Sequence, residues 1–114
     1  MTKQSEATFR IGGAVAVLAM VLVAGYAAWP ASSPVTVEVK DFKFRPEAVT
    51  VTPGTTVTWR NGDEEPHMIM STDGVFRSSA LESDGRYTYT FTKLGTYHYF
   101  CAIHPRMRGD VVVR

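Results

Sequence analysis

From Val35 to Val113 the apolar and polar residues of this chain trade places almost residue by residue, and that rhythm constrains the fold more than any other feature. Val35, Val37 and Val39 alternate with Thr36, Glu38 and Lys40. Val49 and Val51 alternate with Thr50 and Thr52, and Val57 and Trp59 with Thr56, Thr58 and Arg60. Tyr87, Tyr89 and Phe91 alternate with Thr88, Thr90 and Thr92, and Tyr97, Tyr99 and Cys101 with His98 and Phe100. Successive side chains of a strand point to opposite faces, so a period of two marks strands with one buried face. β-Branched and aromatic residues suit that pleated surface. The pairs Pro53-Gly54, Asn61-Gly62, Asp73-Gly74, Asp84-Gly85, Leu94-Gly95 and Arg108-Gly109 separate the runs and read as turns. Short strands divided by turns, with no long helix among them, predict an all-β domain folded as a two-sheet Greek-key β-sandwich.

The first residues obey a different rule. Lys3 and Arg10 precede an uncharged stretch, Ile11 to Ala28, predicted to form one N-terminal hydrophobic helix. A membrane-spanning helix needs about 20 apolar residues, so the stretch is short for that. A secretory signal has a basic start, an apolar middle and small residues at its cut site. Gly25 and Ala27 suit a cut after Ala27, although Tyr26 and Trp29 crowd it. Residues 1–28 are therefore expected to be a cleaved signal peptide or a membrane anchor formed by residues 11–28. Either way the rest of the chain is exported to the periplasm, soluble after cleavage or tethered to the inner membrane, with Lys3 and Arg10 left on the cytoplasmic side. Residues 29–34, WPASSP, read as a linker, and residues 35–114 as the folded domain. A net charge of +1 gives no electrostatic reason to bind nucleic acid. Membrane contact is expected only through the N-terminal segment, and a monomer is expected. A domain of roughly 80 residues has a modest core, which a bound metal would reinforce.

The chemistry is concentrated in Tyr97 to Arg108, YHYFCAIHPRMR. Cys101, the one cysteine of the chain, cannot form an internal disulfide, and a free thiol in an oxidising compartment invites oxidation unless a metal protects it. His104 and Met107 follow it in a C-x2-H-x2-M spacing. A thiolate, an imidazole and a thioether are soft donors that favour copper over magnesium, calcium or manganese. Two histidines, one cysteine and a distant methionine make a blue-copper site, and His67, in the upstream segment Pro66-His67-Met68-Ile69, is the candidate for the second histidine. His98 sits on the opposite strand face from Cys101 and is expected to stay outside the site. Met68 and Met70 are expected to pack or lie at the surface. Asp63, Glu64 and Glu65, with Arg106 and Arg108, place opposite charges nearby, read first as solvated loop charge and second as steering for a partner.

From Val35 onward the chain resembles the cupredoxins, the type 1 blue copper family. The resemblance rests on Asn61, Pro66-His67, the Tyr97-x-Tyr99-x-Cys101 strand and the Cys101-x2-His104-Pro-x-Met107 loop leading to a valine strand. This short spacing, with proline after the histidine, is the amicyanin-like form; plastocyanins and azurins space the ligands more widely. The resemblance implies one copper ion cycling between Cu(II) and Cu(I), bound by His67, Cys101, His104 and weakly by Met107. It gives Asn61 the role of tying the two ligand loops together near the thiolate, and brings the Pro66 carbonyl toward the metal from the far axial side. It makes His104 the electron port, with Ile103, Pro105 and Met68 or Met70 as an apolar docking patch. The expected function is one-electron transport between exported redox proteins (a dehydrogenase, cytochrome or oxidase) without enzymatic turnover, since four protein donors leave no open position for substrate. The alternative is a copper-binding module for storage, delivery or sensing. A thiol enzyme built on Cys101 and His104 lacks an orienting third group, and methionine is a poor zinc ligand.

Overall fold

The computed structural model describes residues 32–114. The signal or anchor expected over residues 1–28, and residues 29–31 of the expected linker, lie outside the described residues. Eight strands follow in order: β1 (Val35–Lys40), β2 (Lys43–Arg45), β3 (Ala48–Val51), β4 (Thr55–Asn61), β5 (Ile69–Ser71), β6 (Arg86–Phe91), β7 (Gly95–Cys101) and β8 (Arg108–Val113). They form two four-stranded sheets, ordered β2-β1-β4-β6 and β3-β8-β7-β5. The chain passes from one sheet to the other after each strand from β2 to β6. As a result β1 and β4 run parallel, as do β3 and β8, while the remaining pairs are antiparallel.

Alternation becomes packing directly. The inward positions Val37, Val39, Val57, Trp59, Phe91, Ile69, Tyr99, Cys101 and Val111 are almost or wholly inaccessible, while Thr56, Thr88 and Thr90 face outward or lie half-exposed. Each fully buried aliphatic side chain contributes about 1.5–3 kcal/mol. Trp59 is the hub: Phe76 stacks on it with centroids 5.5 Å apart, and Tyr99 meets it edge-on at 5.3 Å. Such ring pairs add about 0.5–1.5 kcal/mol each beyond the area they bury.

Phe76 and Leu81 complete the core from outside any strand. They belong to the long connection between β5 and β6, which hydroxyl groups pin down. Ser71 Oγ accepts the Phe76 N–H at 3.0 Å, and Ser78 Oγ accepts the Ile69 N–H at 2.8 Å. This connection then runs antiparallel to His67: the His67 N–H donates to the Leu81 carbonyl at 3.1 Å, and the Leu81 N–H returns to the His67 carbonyl at 2.7 Å. Arg108-Gly109, which reads as a turn, opens β8 instead. Gly109 stands opposite Tyr99, and a β-carbon there would collide with the Tyr99 phenol. The glycine serves a close side-chain approach rather than a reversal of the chain.

Candidate metal centre

The centre forms where β4 and β7 end and β5 begins. In the antiparallel β5–β7 pair Ile69 lies opposite Cys101, and one further bond, Ala102 N–H to the Met68 carbonyl at 2.9 Å, extends the ladder past the strand ends. His67, two residues before Ile69 and of the same parity, is thereby delivered to the Cys101 side. The Cys101–Met107 loop closes on itself. The Met107 N–H donates to the His104 carbonyl at 2.9 Å, and the Cys101 N–H donates to the Met107 carbonyl at 3.1 Å.

This local folding brings His67, Cys101 and His104 together, with their donor atoms all within 4.8 Å of one another. Nδ1 of His67 and Nδ1 of His104 each lie 3.7 Å from Cys101 Sγ. His67 and Cys101 are fully buried and Met107 nearly so, while His104 is half-buried. The Met68 N–H points at the sulfur from 3.4 Å. His98 lies outside the cluster, on the outer face of β7, bonded through Nδ1 to Asp110 at 2.5 Å. Met68 and Met70 are half-buried on either side of the buried Ile69.

The model of the cupredoxin-like domain matches residues 13–113. The chain belongs to the cupredoxin-like family. It is 38% identical over 84 residues to amicyanin of Paracoccus versutus, an alignment spanning 69% of this chain and 64%, under two thirds, of that protein. Among solved structures it superposes on the Cu(I) form of a methionine-to-alanine mutant of amicyanin with a TM-score of 0.69 at 35% identity, over 77% of this chain and 89% of that one. A copper-containing nitrite reductase from Thermus scotoductus SA-01 matches with a TM-score of 0.68 at 34% identity, over 72% of this chain but only 22% of the reductase.

The cofactor of this cupredoxin is copper, and the donor chemistry fits it. Two imidazole nitrogens and a buried sulfur face one point, beside a buried thioether residue; that mixture of borderline and soft donors suits a metal that alternates between Cu(II) and Cu(I).

Two surrounding residues behave differently from their sequence-based reading. Asn61, fully buried at the end of β4, spends its side-chain amide on the Glu65 carbonyl at 2.8 Å and the Leu81 carbonyl at 2.9 Å, and its Oδ1 accepts the Asp63 N–H at 2.9 Å. It therefore ties the His67 segment to the β5–β6 connection rather than to the Cys101 loop. The group that reaches the thiol is the Met68 amide. Asp63, read as solvated loop charge, is instead buried. Its Oδ2 lies 2.9 Å from Nε2 of His67, and its two oxygens accept the Asp41 N–H at 2.8 Å and the Phe42 N–H at 3.0 Å. Desolvation pushes the Asp63 carboxyl up, but those backbone donors and His67 outweigh it and hold the group below its ordinary value. An Nε2–H donating to the Asp63 carboxylate leaves Nδ1 as the ring nitrogen that faces the sulfur. Phe42 completes the surroundings: its ring stands edge-on to His67 at 5.4 Å and to His104 at 5.0 Å. Neither residue announces itself in the sequence, because each acts through a turn folded back from β1. Pro66 is half-buried immediately before His67.

Proposed function

We propose that this chain is a one-electron carrier whose copper would be held by His67, Cys101 and His104, with Met107 as a weaker donor and the Pro66 carbonyl nearby, and would supply a couple that takes and gives one electron. The observation that carries this reading is the convergence of two imidazole nitrogens on one buried sulfur, each at 3.7 Å. The protein's part is to keep the donors still. His67 is clamped on both backbone groups by Leu81 and on its ring by Asp63; Cys101 and Met107 are clamped to each other. A donor set that barely moves between the two oxidation states exchanges electrons with little reorganisation.

Four protein donors leave no position for substrate, which supports a carrier without turnover of its own. The half-buried His104, followed by exposed Pro105 and preceded by Ile103 at 45% exposure, is the point of exchange. Exposed Glu64 and Glu65, with Arg106 and Arg108, give the surrounding surface both signs of charge, which suits orienting a redox protein such as a dehydrogenase, cytochrome or oxidase. Export to the periplasm is read from residues 1–28, and cell fractionation tests it: a chain found only in the cytoplasm would reject export, while the mass of the exported chain separates a cleaved signal from a retained anchor.

The deciding experiment is Cys101→Ser. The Cu(II)-loaded protein is expected to show an intense blue thiolate-to-copper band, and the variant to lose it while keeping a β-rich circular dichroism spectrum. A variant that stays blue would overturn the ligand assignment. A storage or delivery module, the other use of such donors, would hold Cu(I), stay pale and exchange its metal readily.

A further inference from the structure

Phe42 is an anomaly. It is 47% exposed, and both it and Asp41 adopt left-handed backbone conformations, with φ of 57° and 53°, which side-chain-bearing residues disfavour. Such a turn persists only where its surroundings impose it, and here a single carboxylate does so. Asp63 takes the Asp41 N–H on one oxygen and the Phe42 N–H on the other. The oxygen that holds Phe42 also receives Nε2 of His67. The corner of the turn is docked on the same segment, with the Gly62 N–H donating to the Val39 carbonyl at 2.7 Å and Lys40 Nζ to the Gly62 carbonyl at 3.0 Å.

The result is a trio of rings. Phe42 meets His67 at 80° and His104 at 86°, and the two imidazoles lie 5.1 Å apart. Near-perpendicular pairs at this distance are the favoured arrangement of aromatic quadrupoles. His67 has Asp63 and Leu81 to orient it. His104 has much less: among the described residues, the hydrogen-bond-range partner of its ring is the Cys101 sulfur, at 3.7 Å. Its orientation otherwise rests on the edge of Phe42 and on His67.

Resting on the copper assignment made above, we infer that Phe42 is a positioning residue: held by Asp63, its ring fixes the His104 imidazole in the orientation that binds the metal and closes that side of the centre to water. The strained turn is the means of carrying an aromatic edge from β1 across to a loop that belongs to the other sheet. Asp63 couples the two ends of the device, since the carboxylate that orients His67 also seats the ring that orients His104. A residue serving only as part of a partner-docking patch would leave the isolated protein's copper centre unchanged when removed, and that difference is measurable.

The test uses the purified full chain and its Phe42→Ala, Phe42→Leu and Phe42→Tyr variants. Release of copper to a competing chelator is expected to be about tenfold faster in Phe42→Ala, in the range seen when a group orienting a metal ligand is lost. Phe42→Leu, which keeps bulk but no ring, is expected to behave like alanine, and Phe42→Tyr like the wild type. In the metal-free protein, the His104 ring NMR signals are expected to broaden or move in Phe42→Ala and Phe42→Leu while the Ile69 and Val111 signals stay in place. Wild-type release rates and unmoved His104 signals in Phe42→Leu would overturn the proposal, whatever the alanine variant does. Failure of the wild type to bind copper through Cys101 would instead reject the copper assignment, and the metal-free NMR comparison would still judge Phe42.

Discussion

At the scale of single residues, the centre divides labour between groups that donate and groups that aim. Met107, the fourth donor of the proposed set, is buried and locked through its backbone to both Cys101 and His104. Replacing it by leucine removes a thioether that favours Cu(II) and leaves a side chain of similar volume. Met107→Leu is therefore expected to keep copper and raise the reduction potential; voltammetry giving the wild-type potential would exclude Met107 as the axial group. Asp63 is an aiming group, and its depressed carboxyl ties it to pH. A group whose folded value lies below its unfolded value stabilises the fold above the unfolded value and loses that contribution as pH falls through the folded one. In metal-free protein the stability advantage of wild type over Asp63→Asn is thus expected to be constant near neutrality and to shrink below the ordinary aspartate value of 3.8. Denaturant titrations showing an advantage independent of pH down to about 2 would contradict this.

At the scale of elements, β7 and β8 deserve comparison because one carries the centre's sulfur and the other braces it. Tyr99, two residues before Cys101, is buried against Gly109 of β8, and burial pushes its phenol well above the ordinary tyrosine value. Gly109→Ala is expected to cost about 1–3 kcal/mol by overpacking, seen as a lower melting temperature of the metal-free protein. An unchanged melting temperature would mean the strands part there without strain. β1, β4, β6 and β7 were legible because each runs long enough for alternation to repeat, and β3 showed it once; β8 was legible only over Val111–Val113, because Arg108-Gly109 reads as a turn. Three-residue β2 and β5 carry too little pattern to register. The convergence of His67, Cys101 and His104 was legible too, since Cys101 and His104 share one loop and His67 shares the parity of Ile69. Asp63 and Phe42 were not, because their roles arise only when the β1–β2 turn meets the end of β4. Phe76 and Leu81 were hidden for a related reason: they enter the core from an irregular connection shaped by Ser71 and Ser78 rather than by any period.

At the scale of the whole molecule, the centre is also a fastener. It joins the end of β7, in one sheet, to the His67 segment that leaves β4, in the other. A ligand that binds only the folded state stabilises it by mass action, by about 4 kcal/mol when free ligand stands at 1,000 times its dissociation constant. Stripping copper with a chelator is accordingly expected to lower the thermal midpoint markedly, and Cys101→Ser to remove most of that difference. Equal midpoints with and without metal would show the sandwich to be indifferent to its ion.

Trp59 lies wholly inside the sandwich, stacked on Phe76 and edge-on to Tyr99. An indole closed off from water by packed rings is expected to emit at shorter wavelength than one in water. With Trp29 replaced by phenylalanine, the chain reports on its own interior: a colour shift of emitted light marks the instant water first reaches the centre of the fold.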